Sequence, residues 1–149
     1  MTEIKLSAGE IVQAAIVGVM RRIQNIRDGN NHKYGASQAT AWQMDIEGAL
    51  GELALAKHLN IFWSKGKPRD SDVGEFQVRT TAKHNNRLIL HKDDDDDARY
   101  YLITGLNGCY RVQGWIHGRD GKQERYWEDP VGGRPCYFVP QDVLHEALP

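Results

Sequence analysis

The residues best placed for chemistry are in Asp72-Val73-Gly74-Glu75-Phe76-Gln77-Val78-Arg79. Gln77 and Arg79 are two apart, so on a strand they share one face. Asp72 is five residues before Gln77, close enough to meet it across a tight turn or bulge. Glu75, two before Gln77, falls on the same face and can add a second carboxylate. Upstream, Glu52 lies in Gly48-Ala49-Leu50-Gly51-Glu52-Leu53-Ala54. Carboxylate and amide oxygens suit a hard divalent cation, and a guanidinium suits a phosphate.

A helix must carry Glu52 and a strand must carry Gln77 and Arg79. The first helix is announced by Ser7-Ala8-Gly9-Glu10, a capping-box pattern. Ile11, Ala14, Ala15, Met20, Ile23 and Ile26 follow, mostly on one stripe, which predicts that stripe as the buried side. Asp28-Gly29-Asn30-Asn31 ends it, and a polar loop runs from His32 to Thr40. A second helix is predicted from about Trp42 to Leu59, rich in Ala and Leu. Gly48 and Gly51 inside it imply that backbone or ligand packs closely there. A short strand is expected at Ile61-Phe62-Trp63. Further strands are expected at Val73 to Thr81, Arg87 to His91, Tyr100 to Thr104 and Tyr110 to His117, with Phe138-Val139 last. Asn107-Gly108 is a hairpin signal. Pro140-Gln141-Asp142 starts a short C-terminal helix. Two helices followed by a run of strands predict an α+β fold, helices packed on a mixed, largely antiparallel sheet.

In these residues the chain resembles the PD-(D/E)XK nuclease superfamily. The nearer likeness is to its branch with Gln at the acidic position, the Mrr-type restriction enzymes and archaeal Holliday-junction-resolvase-like proteins. The resemblance covers about Trp42 to His91, a third of the chain. It implies a restriction-endonuclease-like core and metal-dependent hydrolysis of DNA. Asp72 would be the principal ligand of Mg²⁺ (or Mn²⁺), with Gln77 offering an amide oxygen and Glu75 a further carboxylate. Glu52 would hold a metal-bound water. Arg79 stands where the family has Lys. Arg cannot be deprotonated in a protein, but it can clamp a phosphate and stabilise developing charge. The alternative implied by that exchange is an inactive nuclease-fold module that binds nucleic acid or protein.

Charge distribution agrees with a nucleic-acid partner. The 149 residues carry 19 Lys plus Arg and 20 Asp plus Glu, a net charge of -1. Bulk coating of nucleic acid is thereby excluded. From Lys57 to Lys92, however, eight basic residues face three acidic ones, a local +5. Lys65, Lys67, Arg69, Lys83 and Arg87 flank the candidate site and suit a phosphate backbone. Asp93 to Asp97 follow and read as a solvated acidic loop.

The two cysteines, Cys109 and Cys136, lack metal-ligand spacing and read as free thiols. No stretch of 18 apolar residues exists, which excludes a membrane-spanning helix. The N-terminus lacks signal-peptide layout. A single cytoplasmic domain over residues 1–149 is expected, of a size that fits a phage or mobile-element protein. A homodimer is in keeping with the resemblance, although no heptad seam stands out.

Overall fold

The computed structural model describes residues 2–30, 37–65 and 71–147. The chain is α+β. A four-stranded mixed sheet has the order β1-β5-β4-β2, and a three-stranded antiparallel sheet has the order β3-β7-β6. The strands are β1 (Glu3–Lys5), β2 (Phe76–Thr81), β3 (Leu88–Leu90), β4 (Arg99–Leu106), β5 (Cys109–His117), β6 (Trp127–Glu128) and β7 (Cys136–Val139). The helices are α1 (Ala8–Arg27), α2 (Gln38–Leu59) and the four-residue α3 (Gly118–Gly121). Residues 61–63, expected as a strand, run without one, and the expected C-terminal helix is a single 3₁₀ turn at Gln141–Val143.

Both long helices start on serine caps. Ser7 Oγ accepts from the Glu10 amide while Glu10 Oε1 accepts from the Ser7 amide, the reciprocal box the sequence predicts. Ser37 caps α2 by accepting from the Thr40 amide, so that helix begins ahead of the expected start at Trp42. It takes in the end of the polar stretch expected as a loop, most of which lies outside the described residues. Asn60 ends the helix in a left-handed conformation (φ 54°).

The buried side of α1 matches the expected stripe only in its first half, where Ala14 is buried and Ile11 packs against the core. Ala14, Gly18 and Arg22 face inward, whereas Met20, Ile23 and Ile26 are exposed. The reason is steric. A Cβ on Gly18 would lie 2.5 Å from Ile46 Cα and 2.6 Å from Asp45 O, so α1 and α2 meet backbone to backbone. Only small side chains fit that crossing.

The four-stranded sheet is covered on both faces. Tyr101, Ile103 and Val78 join Ala49, Leu50, Ala54 and Leu55 of α2 in one core. Tyr100 and Leu102 join Leu88, Leu90 and Val139 of the second sheet in another. β4 is therefore a nearly continuous buried run, as expected for a strand covered on both sides. β2 pairs with it in parallel, Val78 opposite Tyr101. β4 and β5 form the predicted hairpin, and Asn107 (φ 57°) and Gly108 (φ 93°) supply the two positive φ values its turn needs.

A bulge interrupts β5. Leu102 pairs with Gly114 but Ile103 pairs with Val112, leaving Gln113 over. Its amide donates to Thr104 Oγ1 at 2.8 Å. Before the bulge Tyr110 and Val112 face the helices. After it Trp115 packs against that same core, and Ile116 turns to the other.

Candidate active site at the sheet edge

Position in the sheet decides where the candidate residues go. β2 is an end strand. The chain enters it through a tight turn in which Val73 and Phe76 bond each other's backbones at 3.1 and 2.8 Å, with Gly74 at φ 55°. That turn folds Asp72 back alongside its own strand. The Val78 amide points off the outer edge and donates to Asp72 Oδ2 at 2.8 Å. The acid therefore caps the strand's open edge.

Glu52 reaches the same region from α2. A Cβ on Gly51 would stand 2.0 Å from Thr80 Oγ1 and 3.0 Å from Thr80 Cβ. The helix thus rests directly on β2 at the residue before Glu52, the close packing the helix glycines imply. Gly48 has nothing within 4 Å and lines an open groove of about 370 Å³. Glu52 is only 5% exposed. Its carboxylate accepts from Arg21 Nη1 at 2.6 Å and Nη2 at 3.0 Å, and from Trp63 Nε1 at 3.2 Å. Arg21 also donates to the Lys65 carbonyl at 2.6 Å.

The electrostatics single out Asp72. Its carboxyl is pushed up to about 6, first by burial and then by the Glu52 charge. The Val78 hydrogen bond, Arg79 and Arg21 pull the other way and are overcome. Two acids are thus held together at a cost to the ionised form of one.

Gln77 and Arg79 alternate with Val78, which belongs to the helix-side core. They therefore face the second sheet, across the strand from Glu52. Arg79 lies over the Tyr100 ring at 4.9 Å and pairs with Asp94 Oδ1 at 2.9 Å. Glu75 is exposed in the entry turn and pairs with Arg99 at 2.8 Å. The strand edge with Asp72 separates the Glu52–Arg21 side from the Gln77–Arg79 side. As oxygen donors, Asp72 and Glu52 suit a hard divalent cation. No group of three or more His, Cys, Asp or Glu side chains among the described residues is arranged to hold a metal ion.

The basic residues distribute unevenly. Lys65, beside Arg21, has a left-handed backbone (φ 69°). Lys83 is exposed in the turn after β2. Arg87 pairs with Glu128 and lies over the Phe138 ring at 4.8 Å, on the second sheet. Lys67 and Arg69 lie outside the described residues. The aspartate run is held by cations: Asp94 by Arg79, Asp96 by Lys122 at 2.8 Å, and Asp97 by Arg119. Asp93, Asp95, Asp96 and Asp97 are exposed, as expected of a solvated loop, and Asp94 alone is drawn in, against Arg79.

Arg21, Trp63 and Asp94 belong to the site although their sequence surroundings did not mark them. The one signal for Arg21 is the pair Arg21-Arg22 directly after the apolar run from Ala14 to Met20. Both turn inward, Arg22 toward Asp45 at 3.7 Å. Cys109 and Cys136 are free thiols. No helix among the described residues is long and apolar enough to cross a membrane. Compared with known proteins, the chain matches no family model, no curated protein and no solved structure.

Proposed function

We propose that the chain is a small metal-dependent deoxyribonuclease of restriction-endonuclease-like design, working in the cytoplasm on DNA at the outer edge of β2. The observation that carries this reading is the half-buried Asp72 carboxyl on the edge of β2, bonded to the Val78 amide and pushed up to about 6 by burial and the nearby Glu52 charge. Buried acids perturbed in this way concentrate at functional sites. A divalent cation such as Mg²⁺ or Mn²⁺, held by Asp72 and Glu52, would supply Lewis acidity and a hydroxide near neutral pH.

The chain's own residues do the rest. The Val78 amide orients Asp72. Arg21 fixes the Glu52 carboxylate with two parallel bonds, and the part of its guanidinium left exposed offers donors to a phosphate. Lys65 stands beside it to attract the backbone. Arg79, always charged, serves from the other face as a phosphate clamp and not as a base.

A second reading rests on a specific observation. Three N–H donors already occupy the Glu52 carboxylate, and Asp94 occupies Arg79. That arrangement favours a nuclease-fold protein that binds DNA without cutting it. Incubating plasmid and branched DNA with the protein in Mg²⁺ or Mn²⁺, against Asp72→Asn, separates the two. Cleavage by the wild type alone supports the nuclease. Metal-independent binding without cleavage supports the second reading. Neither binding nor cleavage defeats both.

A further inference from the structure

The outer face of α1 is the largest feature the nuclease reading leaves unused. Val12, Ile16, Met20, Ile23 and Ile26 are 58%, 53%, 63%, 43% and 50% exposed. Val12, Ile16, Val19, Ile23 and Ile26 are spaced 4-3-4-3, two periods of the repeat that lets one helix seat another, too short to stand out as a heptad seam in the sequence. Sparse exposed apolar residues are ordinary, but a continuous row of large aliphatics marks an interaction surface. The row cannot serve this chain's own core, because the opposite side of α1 is already committed to the Ala14–Gly18 crossing.

The geometry points to a second copy of this chain, with the two α1 helices antiparallel about a two-fold axis near Val19. The row is close to a palindrome: reversed about Val19, Val12 meets Ile26, and Ile16 falls one residue, about 1.5 Å, from Ile23. A two-fold contact requires such a self-complementary patch. Charge agrees. α1 carries Glu10, Arg21, Arg22 and Arg27. Arg22 is buried toward Asp45 and the partly exposed Arg21 is paired with Glu52, so both arginines at the middle of the face already have a carboxylate partner. Antiparallel pairing sets Arg27 of each chain near Glu10 of the other, a carboxylate that also pairs with Lys57 of its own chain at 2.9 Å. A groove of about 470 Å³ flanks the row; its apolar wall of Ile16, Val17 and Met20 is the part open to the partner, while Arg21 and Lys65 close its other end beside the sheet-edge site.

The 20-residue helix is about 30 Å long. One helix pair of that length buries less than the roughly 1,600 Å² of a standard interface. The dimer is therefore a weak one, formed in a concentration-dependent way.

Sedimentation velocity from about 1 μM to 1 mM, the range in which small interfaces associate, should show the mass rise toward twice 16.9 kDa. Ile16→Glu and Ile23→Lys should each raise the dimer dissociation constant at least about tenfold, since each buries a charge against an aliphatic partner. Mixing the two variants should restore a heterodimer. Antiparallel pairing sets position 16 of one chain within one residue of position 23 of the other, so the introduced carboxylate meets the introduced ammonium. Unchanged circular dichroism shows that each variant folds, as both sites are exposed. A wild type monomeric throughout overturns the proposal. So does a dimer indifferent to both substitutions, or a mixture that fails to associate. None of these readouts depends on DNA cleavage, so the nuclease reading and this one fail separately.

Discussion

The Val78 amide donates to Asp72 Oδ2 at 2.8 Å, seating the acid in the plane of the sheet and off either face. From there Arg21 on the helix side and Arg79 on the other both act on it, yet burial and Glu52 hold its carboxyl up at about 6. An unfolded aspartate titrates near 3.8. Between about pH 4 and 6 the folded chain therefore keeps a proton that the unfolded chain has lost, and stability falls as pH rises through that window. Asp72→Asn removes the penalty and still accepts from Val78. It should be more stable than wild type at pH 7 by on the order of 2 kcal/mol and equal to it below about pH 4. Urea denaturation across pH 3.5–7.5 checks this. Under the nuclease reading Mg²⁺ stabilises the wild type at pH 7 and leaves Asp72→Asn unmoved.

Glu52 sets part of that shift. Glu52→Gln should lower the Asp72 titration midpoint, because it deletes the second-largest cause of the rise. A carboxyl-carbon NMR titration reads the midpoint directly. The same substitution leaves Arg21 without its charge partner and should cost about 2–3 kcal/mol. That is below the full cost of breaking a buried pair because Arg21 keeps some water. Trp63→Phe removes one donor and should cost about 1–2 kcal/mol.

The two glycines of α2 should respond in opposite directions. Gly51→Ala drives a methyl into Thr80, whose Cβ is itself within 3.0 Å, and should destabilise by about 1–3 kcal/mol. Gly48→Ala meets nothing within 4 Å and should gain up to about 1 kcal/mol of helix propensity. Thermal melts of both variants check the contrast. Equal effects would mean that α2 does not rest on β2 at Gly51.

Asp94 competes with any phosphate for Arg79. If the proposed DNA binding holds, Asp94→Asn should tighten it and steepen its dependence on salt by about one phosphate contact. Arg79→Ala should do the reverse. Fluorescence anisotropy at several salt concentrations measures both slopes.

Local chemistry was legible in the sequence. The Ser7–Glu10 box, the Asn107-Gly108 turn and the strand bearing Gln77 and Arg79 each follow from a few adjacent residues. Long-range geometry was not. Arg21 meets Glu52 across 31 positions, and nothing near either residue encodes the partner. Met20, Ile23 and Ile26 have the spacing of a buried stripe, but the close approach of Gly18 to the Ile46 backbone turns Ala14 and Arg22 inward in their place. Gln77 and Asp72 lie close in sequence, yet the turn at Gly74 sends one to the strand edge and leaves the other on the far face. The aspartates read as solvated, but Arg119 and Lys122, which hold two of them, come more than twenty residues later.

Gln113 behaves as a phase shifter in the strand that carries it. Upstream of it, one parity of β5 addresses the helices. Downstream, the same parity addresses the second sheet. A chain lacking that residue would spell the remaining strand out of step, exchanging Trp115 and Ile116 between layers. The assignment of side chains to the two cores thus depends on a single count along β5, kept by a glutamine whose amide is tied to Thr104.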